Sequence, residues 1–313
     1  MHLAQDSNPL EAVDARTKLA GSNKLEILLF SLGKSETFGI NVFKVREVTP
    51  TPPITRTPYV PPGVEGVISL RGNIIPVLSL AWFVNGGKHL GRLGQTMMVT
   101  EYSRRTQGFL VESVDRIVCV DWERVKAAES TVTGHDGLIT AVTQLADGRL
   151  ISILDVEQVL ANAFGEPAIP TLQPVAQQTD AMVLFADDSL VARKQIAQVL
   201  DRLQVRYHQA NNGQEAWQRL QAMAQRAGQD GQPLATQLRL ILIDAEMPEM
   251  DGYVLTRHIK ADRRFSGIPV VMHSSLSSAA SRALGESVGV DAYVAKFDPV
   301  VLAGTLRRLL RPE

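Results

Sequence analysis

Five polar residues of this chain directly follow short apolar runs typical of β-strands. Asp187 and Asp188 follow MVLFA, Asp244 follows LILI, Ser274 follows PVVMH, and Lys296 follows AYVA. In an open parallel sheet such positions all fall at the carboxyl edge, where ligands bind. Carboxylates gathered at one edge repel one another unless a cation joins them. The three carboxylates therefore imply a metal site, and the lysine and the serine hydroxyl imply that the site binds phosphate.

Magnesium and phosphoryl transfer suit these residue types. Mg²⁺ prefers oxygen ligands in octahedral geometry and usually keeps some waters. A carboxylate such as Asp244 can act as a nucleophile and form an aspartyl phosphate, while Lys296 and the Ser274 hydroxyl would contact phosphate oxygens. Taken singly, each residue has an ordinary structural explanation, and Asp188-Ser189 could simply cap a helix. The occurrence of all five at strand ends favours a site.

The elements that must position these residues lie in the second half of the chain. From Ala181 onward, short apolar strands alternate with segments whose apolar residues recur at helical spacing. Five strands alternating with five helices predict a doubly wound α/β domain over residues 181–313. In the strand order 2-1-3-4-5, strands one and three are neighbours. That order would bring Asp187 and Asp188 beside Asp244.

The first half of the chain has the pattern of an all-β domain over residues 24–164. Short runs rich in Val, Ile, Leu and Phe are separated by glycine, proline and asparagine. The proline-rich segment Thr49–Pro62 is predicted to be an extended loop. The sequence LDVEQVLANAF predicts a closing helix, with these apolar residues directed inward: Leu154, Val156, Val159 and Leu160.

Two further segments lack a clear apolar pattern. Residues 165–180 contain three prolines and read as a semi-extended interdomain linker. Residues 1–23 form a polar tail, in which Asn8-Pro9 could begin a short helix that runs to Ala20.

Composition excludes several classes of protein. A formal net charge of −1 gives no electrostatic reason to expect a nucleic-acid partner. The single cysteine, Cys119, cannot form an internal disulfide, and its apolar surroundings predict a buried side chain. No apolar stretch reaches membrane-spanning length and no secretory leader is evident, so we expect a cytoplasmic protein that reaches a membrane only through partners.

The motifs VLFADDS, LILIDAEMPEMDG, IPVVMHSS and AYVAK resemble those of response-regulator receiver domains, over about Met182–Leu310. The resemblance implies a flavodoxin-like fold in which Asp244 accepts a phosphoryl group from a histidine kinase. It also implies that Mg²⁺ is bound by Asp188, Asp244 and the backbone carbonyl of Glu246, with Asp187 assisting.

The same resemblance assigns Ser274 and Tyr293 to the family's switch positions. One residue departs from the family pattern, because the proline that usually follows the lysine in a cis bond is here Phe297. A cis bond before a residue other than proline costs about 2.5–4 kcal/mol. We therefore expect the loop after Lys296 to differ in shape. The extra carboxylate of Glu246 could also alter the lifetime of the phosphate.

The segments FGINVFKVREV, PGVEGVISLRGNIIPVLSL and LISILDVEQVL resemble the CheW family of chemotaxis coupling proteins, over about Leu25–Phe164. This likeness implies two small β-barrels that bridge chemoreceptors and the chemotaxis histidine kinase. Arg71 corresponds to the family's arginine implicated in partner coupling. Arg71-Gly72-Asn73 also reads as a plain turn, which explains Gly72 and Asn73 but not the arginine.

A CheW-like domain followed by a receiver domain resembles the arrangement of CheV-type chemotaxis proteins. The resemblance predicts a signalling adaptor that couples chemoreceptors to a histidine kinase and responds to phosphorylation at Asp244, rather than an enzyme. The alternative is a phosphate sink, in which the receiver drains the kinase and the first domain only localises it.

Two other functional classes fit the sequence poorly. Phosphohydrolases that use an aspartyl intermediate typically carry a second acid two residues after the nucleophile, followed by Thr or Val, whereas Met247 follows Glu246 here. A transcription factor would need a helix-turn-helix segment or a basic patch, and the short run Arg307–Arg311 suffices only as the polar end of a helix.

Overall fold

The structure is a computed structural model that describes residues 24–88, 94–102, 105–128, 137–165, 169–175, 182–275, 279–296 and 298–310. The predicted tail or helix of residues 1–23 lies outside the described residues. Phe297 does too, so the expected change of loop shape after Lys296 stays a prediction.

The amino-terminal part contains eleven strands among its described residues. They are β1 Lys24–Ser31, β2 Thr37–Asn41, β3 Val45–Pro50, β4 Val64–Leu70, β5 Asn73–Ser79, β6 Thr96–Tyr102, β7 Arg105–Val111, β8 Ser113–Asp121, β9 Lys126–Ala127, β10 Ile139–Gln144 and β11 Leu150–Leu154. One sheet has the order β8-β1-β2-β11-β10-β9 and the other the order β3-β6-β7-β5-β4. Neighbouring strands are antiparallel except for the pairs β2–β11 and β5–β7, which are parallel.

Each of these sheets has an apolar core of its own. Ile27 and Ile151 belong to the core of the six-stranded sheet, and Val77 and Met97 belong to that of the five-stranded sheet. A third cluster, which includes Phe109, joins side chains from both sheets. Separate cores are what two small β-barrels require, because each barrel is filled by its own inward side chains.

Two short helices accompany the sheets within the described ranges, α1 at Leu80–Val84 and α2 at Val156–Phe164. Helix α2 is the predicted closing helix. All four side chains expected to point inward are buried: Leu154, Val156, Val159 and Leu160. Glu157 is also fully buried, which the apolar pattern does not explain.

Edge strands explain why the prediction of a buried Cys119 is wrong and why the predicted loop Thr49–Pro62 begins within a strand. Cys119 is exposed rather than buried, because it lies on the edge strand β8, where Ile117 is also 54% exposed. The predicted loop Thr49–Pro62 begins as the end of edge strand β3, where proline is tolerated. Beyond Pro50 it stays outside the named strands and forms an isolated bridge from Thr55 to Val67.

The carboxyl-terminal part is the predicted doubly wound α/β domain. Its strands are β12 Met182–Ala186, β13 Arg206–Ala210, β14 Leu238–Ile243, β15 Val270–Ser274 and β16 Ala292–Ala295. They form one parallel sheet in the order β13-β12-β14-β15-β16, which is the predicted order 2-1-3-4-5.

Among the residues described here, five helices lie between and after these strands. They are α3 Leu190–Leu203, α4 Gly213–Gln229, α5 Gly252–Ala261, α6 Ala279–Val288 and α7 Pro299–Leu310. Their apolar faces cover both sides of the sheet, with Leu220 in the cluster on one side and Leu306 in the cluster on the other. Within the described ranges, no helix is both long and apolar enough to cross a membrane.

Residues 169–175 of the predicted linker pack against the α/β domain. Ile169 is buried in the same cluster as Leu203 of helix α3. The guanidinium of Arg202 donates to the carbonyls of Ile169 and Pro170 at 2.6 and 2.7 Å, and the amide of Val175 donates to the carbonyl of Leu203 at 3.1 Å. These contacts fix both ends of the segment to the carboxyl-terminal end of helix α3.

Candidate functional site

The carboxyl edge of the parallel sheet brings together the five residues singled out in the sequence. Asp187 and Asp188 follow β12, Asp244 follows β14, Ser274 ends β15 and Lys296 follows β16. Backbone hydrogen bonds hold neighbouring strand ends in register. The amide of Asp244 donates to the carbonyl of Ala186 at 2.9 Å, and the amide of Lys296 donates to the carbonyl of Ser274 at 2.8 Å.

Three carboxylates form a compact cluster at this edge. One carboxylate oxygen from each of Asp187, Asp188 and Asp244 lies within 4.8 Å of the others. Burial is the main cause of a raised pKa at each of them, to about 6 for Asp187, and the neighbouring acids add to it. The cluster is therefore costly to hold fully ionised without a cation.

Lys296 supplies one such cation from within the protein. Its Nζ donates to Asp244 Oδ2 at 2.7 Å and lies 2.9 Å from Asp187 Oδ2, and its side chain is only 1% exposed. Burial alone would lower the pKa of Lys296, but Asp187 and Asp244 raise it above its usual value. One ammonium thus contacts two of the three carboxylates and offsets one of their negative charges.

The oxygen donors present fit a hard divalent cation. Asp187 Oδ1 accepts the Ser189 amide at 3.0 Å. Asp188 Oδ1 is a buried atom for which the described residues supply no hydrogen-bond donor. Three clustered carboxylates with one such oxygen match the ligands that Mg²⁺ prefers. Glu246, whose carbonyl is the other predicted ligand, lies two residues after Asp244.

Helix α3 begins at this edge and contributes two supporting residues. Ser189 is its N-cap and accepts the Ala192 amide at 3.4 Å, so capping does occur beside the acidic pair. Arg193 donates to the carbonyls of Asp187 and Asp188 at 2.8 and 2.9 Å. Arg193 was missed in the sequence, although its place in the first turns after an Asp-Asp pair is a usable signal.

The two predicted switch residues lie close together. Ser274 is fully buried, and its hydroxyl hydrogen-bonds with the hydroxyl of the half-buried Tyr293. Burial raises the pKa of Tyr293 to about 12. The guanidinium of Arg282 lies over the Tyr293 ring, 5.6 Å from its centroid. His273 is buried, which lowers its pKa to about 3 and keeps it neutral.

The amino-terminal part also reaches this edge, which sequence patterns did not predict. Asn41 Nδ2 donates to Glu246 Oε1 at 2.5 Å. Lys44 lies 3.4 Å from Glu157, and both side chains are largely buried. Burial would raise the pKa of Glu157, but the ammonium groups of Lys296 and Lys44 and the Ser189 hydroxyl lower it. Carboxylates from both parts therefore meet at one place.

Arg71 lies in the turn between β4 and β5, away from this cluster. Its φ is 49°, its side chain is 78% exposed, and its guanidinium pairs with Glu47 at 2.5 Å. The guanidinium thus has an ion-pair partner on strand β3, while most of the side chain remains accessible.

Comparison with known proteins finds a family match for each of the two parts of the chain. Residues 26–164 match the CheW-like domain, and residues 183–305 match the response regulator receiver domain. Chemotaxis protein CheV3 of Helicobacter pylori is 30% identical over 277 residues, which cover 87% of this chain and 88% of that protein. The chain belongs to the CheV family of chemotaxis proteins.

A second curated relative agrees with this assignment. Chemotaxis protein CheV1 of Helicobacter pylori is 28% identical and aligns with 97% of this chain and 99% of its own length. Among solved structures, the scaffolding protein TtCheW from Thermoanaerobacter tengcongensis is 26% identical, with a TM-score of 0.41, and aligns with 46% of this chain and 97% of its own.

Membership of the CheV family confirms the predicted pairing of a CheW-like domain with a receiver domain. It identifies the chain as a chemotaxis coupling adaptor with a phosphorylatable receiver. The predicted alternative, a phosphate sink, is not favoured by these relatives.

Proposed function

We propose that Asp244 is the phosphoacceptor through which a chemotaxis histidine kinase controls this adaptor. The observation that carries the proposal is the position of Asp244, whose carboxylate lies among two further acids and 2.7 Å from Lys296. A buried carboxylate with an adjacent ammonium suits phosphoryl transfer, in which positioning and charge neutralisation supply most of the catalysis.

The transfer requires one bond to form and one to break. An Asp244 carboxylate oxygen attacks phosphorus, and the bond from phosphorus to the donor breaks, with its electron pair leaving on the donor. Lys296 and the Ser274 hydroxyl then contact the phosphoryl oxygens. Mg²⁺, held by Asp187, Asp188, Asp244 and the Glu246 carbonyl, would neutralise charge on the phosphoryl group.

The readout of phosphorylation begins at Ser274 in this proposal. When the Ser274 hydroxyl turns towards the phosphoryl group, it leaves the hydroxyl of Tyr293, with which it now hydrogen-bonds. The Tyr293 ring is then free to move relative to Arg282, which lies over it.

The rest of the chain has a coupling role. We assign residues 24–164 to the coupling domain, 165–180 to the linker and 181–313 to the receiver. The coupling domain would join chemoreceptors to the kinase, and Arg71, whose side chain is 78% exposed, would contribute to that contact.

Mass spectrometry of the intact protein tests the assignment of the phosphoacceptor. The full chain is incubated with Mg²⁺ and acetyl phosphate beside Asp244→Asn and the control Asp230→Asn, which changes an exposed carboxylate after helix α4. We expect one added phosphoryl group on the wild type and on the control, and none on Asp244→Asn. Equal phosphorylation of Asp244→Asn would refute the assignment, as would an unmodified wild type.

A further inference from the structure

The coupling domain covers the acidic edge of the receiver. Helix α2 packs against helix α3. The backbone at Gly137 also approaches Leu190, since a Cβ placed on Gly137 would lie 3.5 Å from Leu190 Cδ2. A small cavity between the domains is lined by Asn41 and Lys44 on one side and by Asp188 on the other. The phosphoacceptor face is thus not open to a large phosphodonor such as a kinase domain.

The contact is polar on both sides. The coupling domain presents the Asn41 amide, the Lys44 ammonium and the first turn of α2, including the fully buried Glu157. The receiver presents Asp188, Ser189 and Glu246. The Asn41–Glu246 hydrogen bond joins the two domains directly at 2.5 Å.

Charge at this contact is unbalanced towards the acids. Carboxylates come from both domains, two from the coupling domain and four from the receiver: Asp155, Glu157, Asp187, Asp188, Asp244 and Glu246. The cations that face them among the described residues are Lys44, Lys296 and Arg193. A phosphoryl group on Asp244 would add further negative charge, which like-charge repulsion opposes.

We propose that this face of the coupling domain is a docking surface for the unphosphorylated receiver, that it shields Asp244, and that phosphorylation releases it. The docked and released forms interconvert, and only the released form receives phosphate rapidly. Release would expose Asn41, Lys44 and the start of α2 to the partners of the coupling domain. This inference rests on the proposed phosphoacceptor role of Asp244.

Asn41→Asp tests the docking with little change to the coupling domain itself. Asn41 Oδ1 accepts the Phe43 amide at 3.0 Å, and an aspartate keeps that acceptor. The substitution removes only the donor to Glu246 and sets two carboxylates against each other. Adding Glu246→Gln to this variant restores a donor–acceptor pair. Asn162→Asp makes the same change at an exposed position of α2 and serves as the matched control.

The first readout is the rate at which each full-length variant gains a phosphoryl group from the autophosphorylated chemotaxis histidine kinase, with Mg²⁺ present. We expect Asn41→Asp to be about tenfold faster than the wild type, equivalent to about 1.4 kcal/mol. Asn162→Asp should match the wild type, and the double variant is compared with it by hydrogen exchange only. If Asn41→Asp has the wild-type rate, the shielding is refuted.

The second readout is hydrogen exchange without a phosphodonor, which does not depend on the role of Asp244. Amides at the start of α3 should exchange faster in Asn41→Asp than in the wild type, and the double variant should restore their protection. Unchanged exchange would refute docking. Faster exchange in a chain that cannot be phosphorylated would refute the phosphoacceptor role alone.

Discussion

Two buried lysines lie on opposite sides of the domain contact and balance acids in different ways. Lys296, in the receiver, is 1% exposed and lies within 2.9 Å of two carboxylates. Lys44, in the coupling domain, is 17% exposed and lies 3.4 Å from one. On the receiver side one ammonium therefore contacts two carboxylates in a compact cluster, whereas on the coupling side one ammonium makes a single, longer ion pair.

The largest difference in unfolding free energy is expected when each of the two lysines is replaced by methionine. Removing one partner of a buried ion pair costs about 3–5 kcal/mol, because a buried charge is left unpaired. We expect Lys296→Met to lower the free energy of unfolding of the receiver by about 3 kcal/mol without divalent cations. Lys44→Met should cost the coupling domain less. Urea unfolding of both variants measures the two losses of unfolding free energy. Equal losses would contradict the difference drawn between Lys296 and Lys44.

Magnesium should stabilise the receiver face selectively. A ligand at one hundred times its Kd stabilises the folded state by about 2.7 kcal/mol. We expect Mg²⁺ to raise the unfolding temperature of the receiver transition in the wild type and in Asp230→Asn. Asp188→Asn should lose most of this gain. Calorimetry with and without Mg²⁺ provides the measurement, and a full gain in Asp188→Asn would exclude that carboxylate as a ligand.

A smaller effect on stability is expected at Tyr293, which lies outside the acidic cluster. Tyr293→Phe removes the hydrogen bond with Ser274, and such bonds contribute about 1 kcal/mol. The variant should unfold at slightly lower urea concentration and still accept phosphate at Asp244. Loss of phosphorylation in Tyr293→Phe would mean that the tyrosine belongs to the acceptor site itself.

The smallest effect on stability is expected at Arg71. Its ion pair with Glu47 is exposed, and exposed pairs contribute about 0–1 kcal/mol. Arg71→Ala should therefore leave unfolding nearly unchanged while it weakens binding of the chain to the kinase in a pull-down assay. A large loss of stability, or unchanged binding, would assign Arg71 to the turn alone.

The receiver face was predictable because strand ends in a parallel sheet meet at one edge. Apolar runs located the ends of β12, β14, β15 and β16, and the topology then brought Asp187, Asp188 and Asp244 together. Arg193 was not predicted, because hydrophobic periodicity does not reveal it and its place shortly after the Asp-Asp pair was not used.

The coupling face was not predictable by the same reasoning. Asn41 ends a strand and Glu157 begins a helix, and neither position differs in pattern from an ordinary turn or cap. Both residues matter because they contact the other domain, whereas hydrophobic periodicity describes burial only within one domain. The exposed Cys119 on β8 shows a related limit, since an apolar run does not reveal that its strand lies at an edge.

Chemical mapping of the phosphate tests the central claim most directly. The full chain is phosphorylated with acetyl phosphate and Mg²⁺, and borohydride then reduces the acyl phosphate, which converts the modified aspartate to homoserine. Peptide mass spectrometry locates the converted residue. We predict homoserine at position 244 alone. Conversion at Asp187 or Asp188 instead, or no conversion at all, would contradict the account.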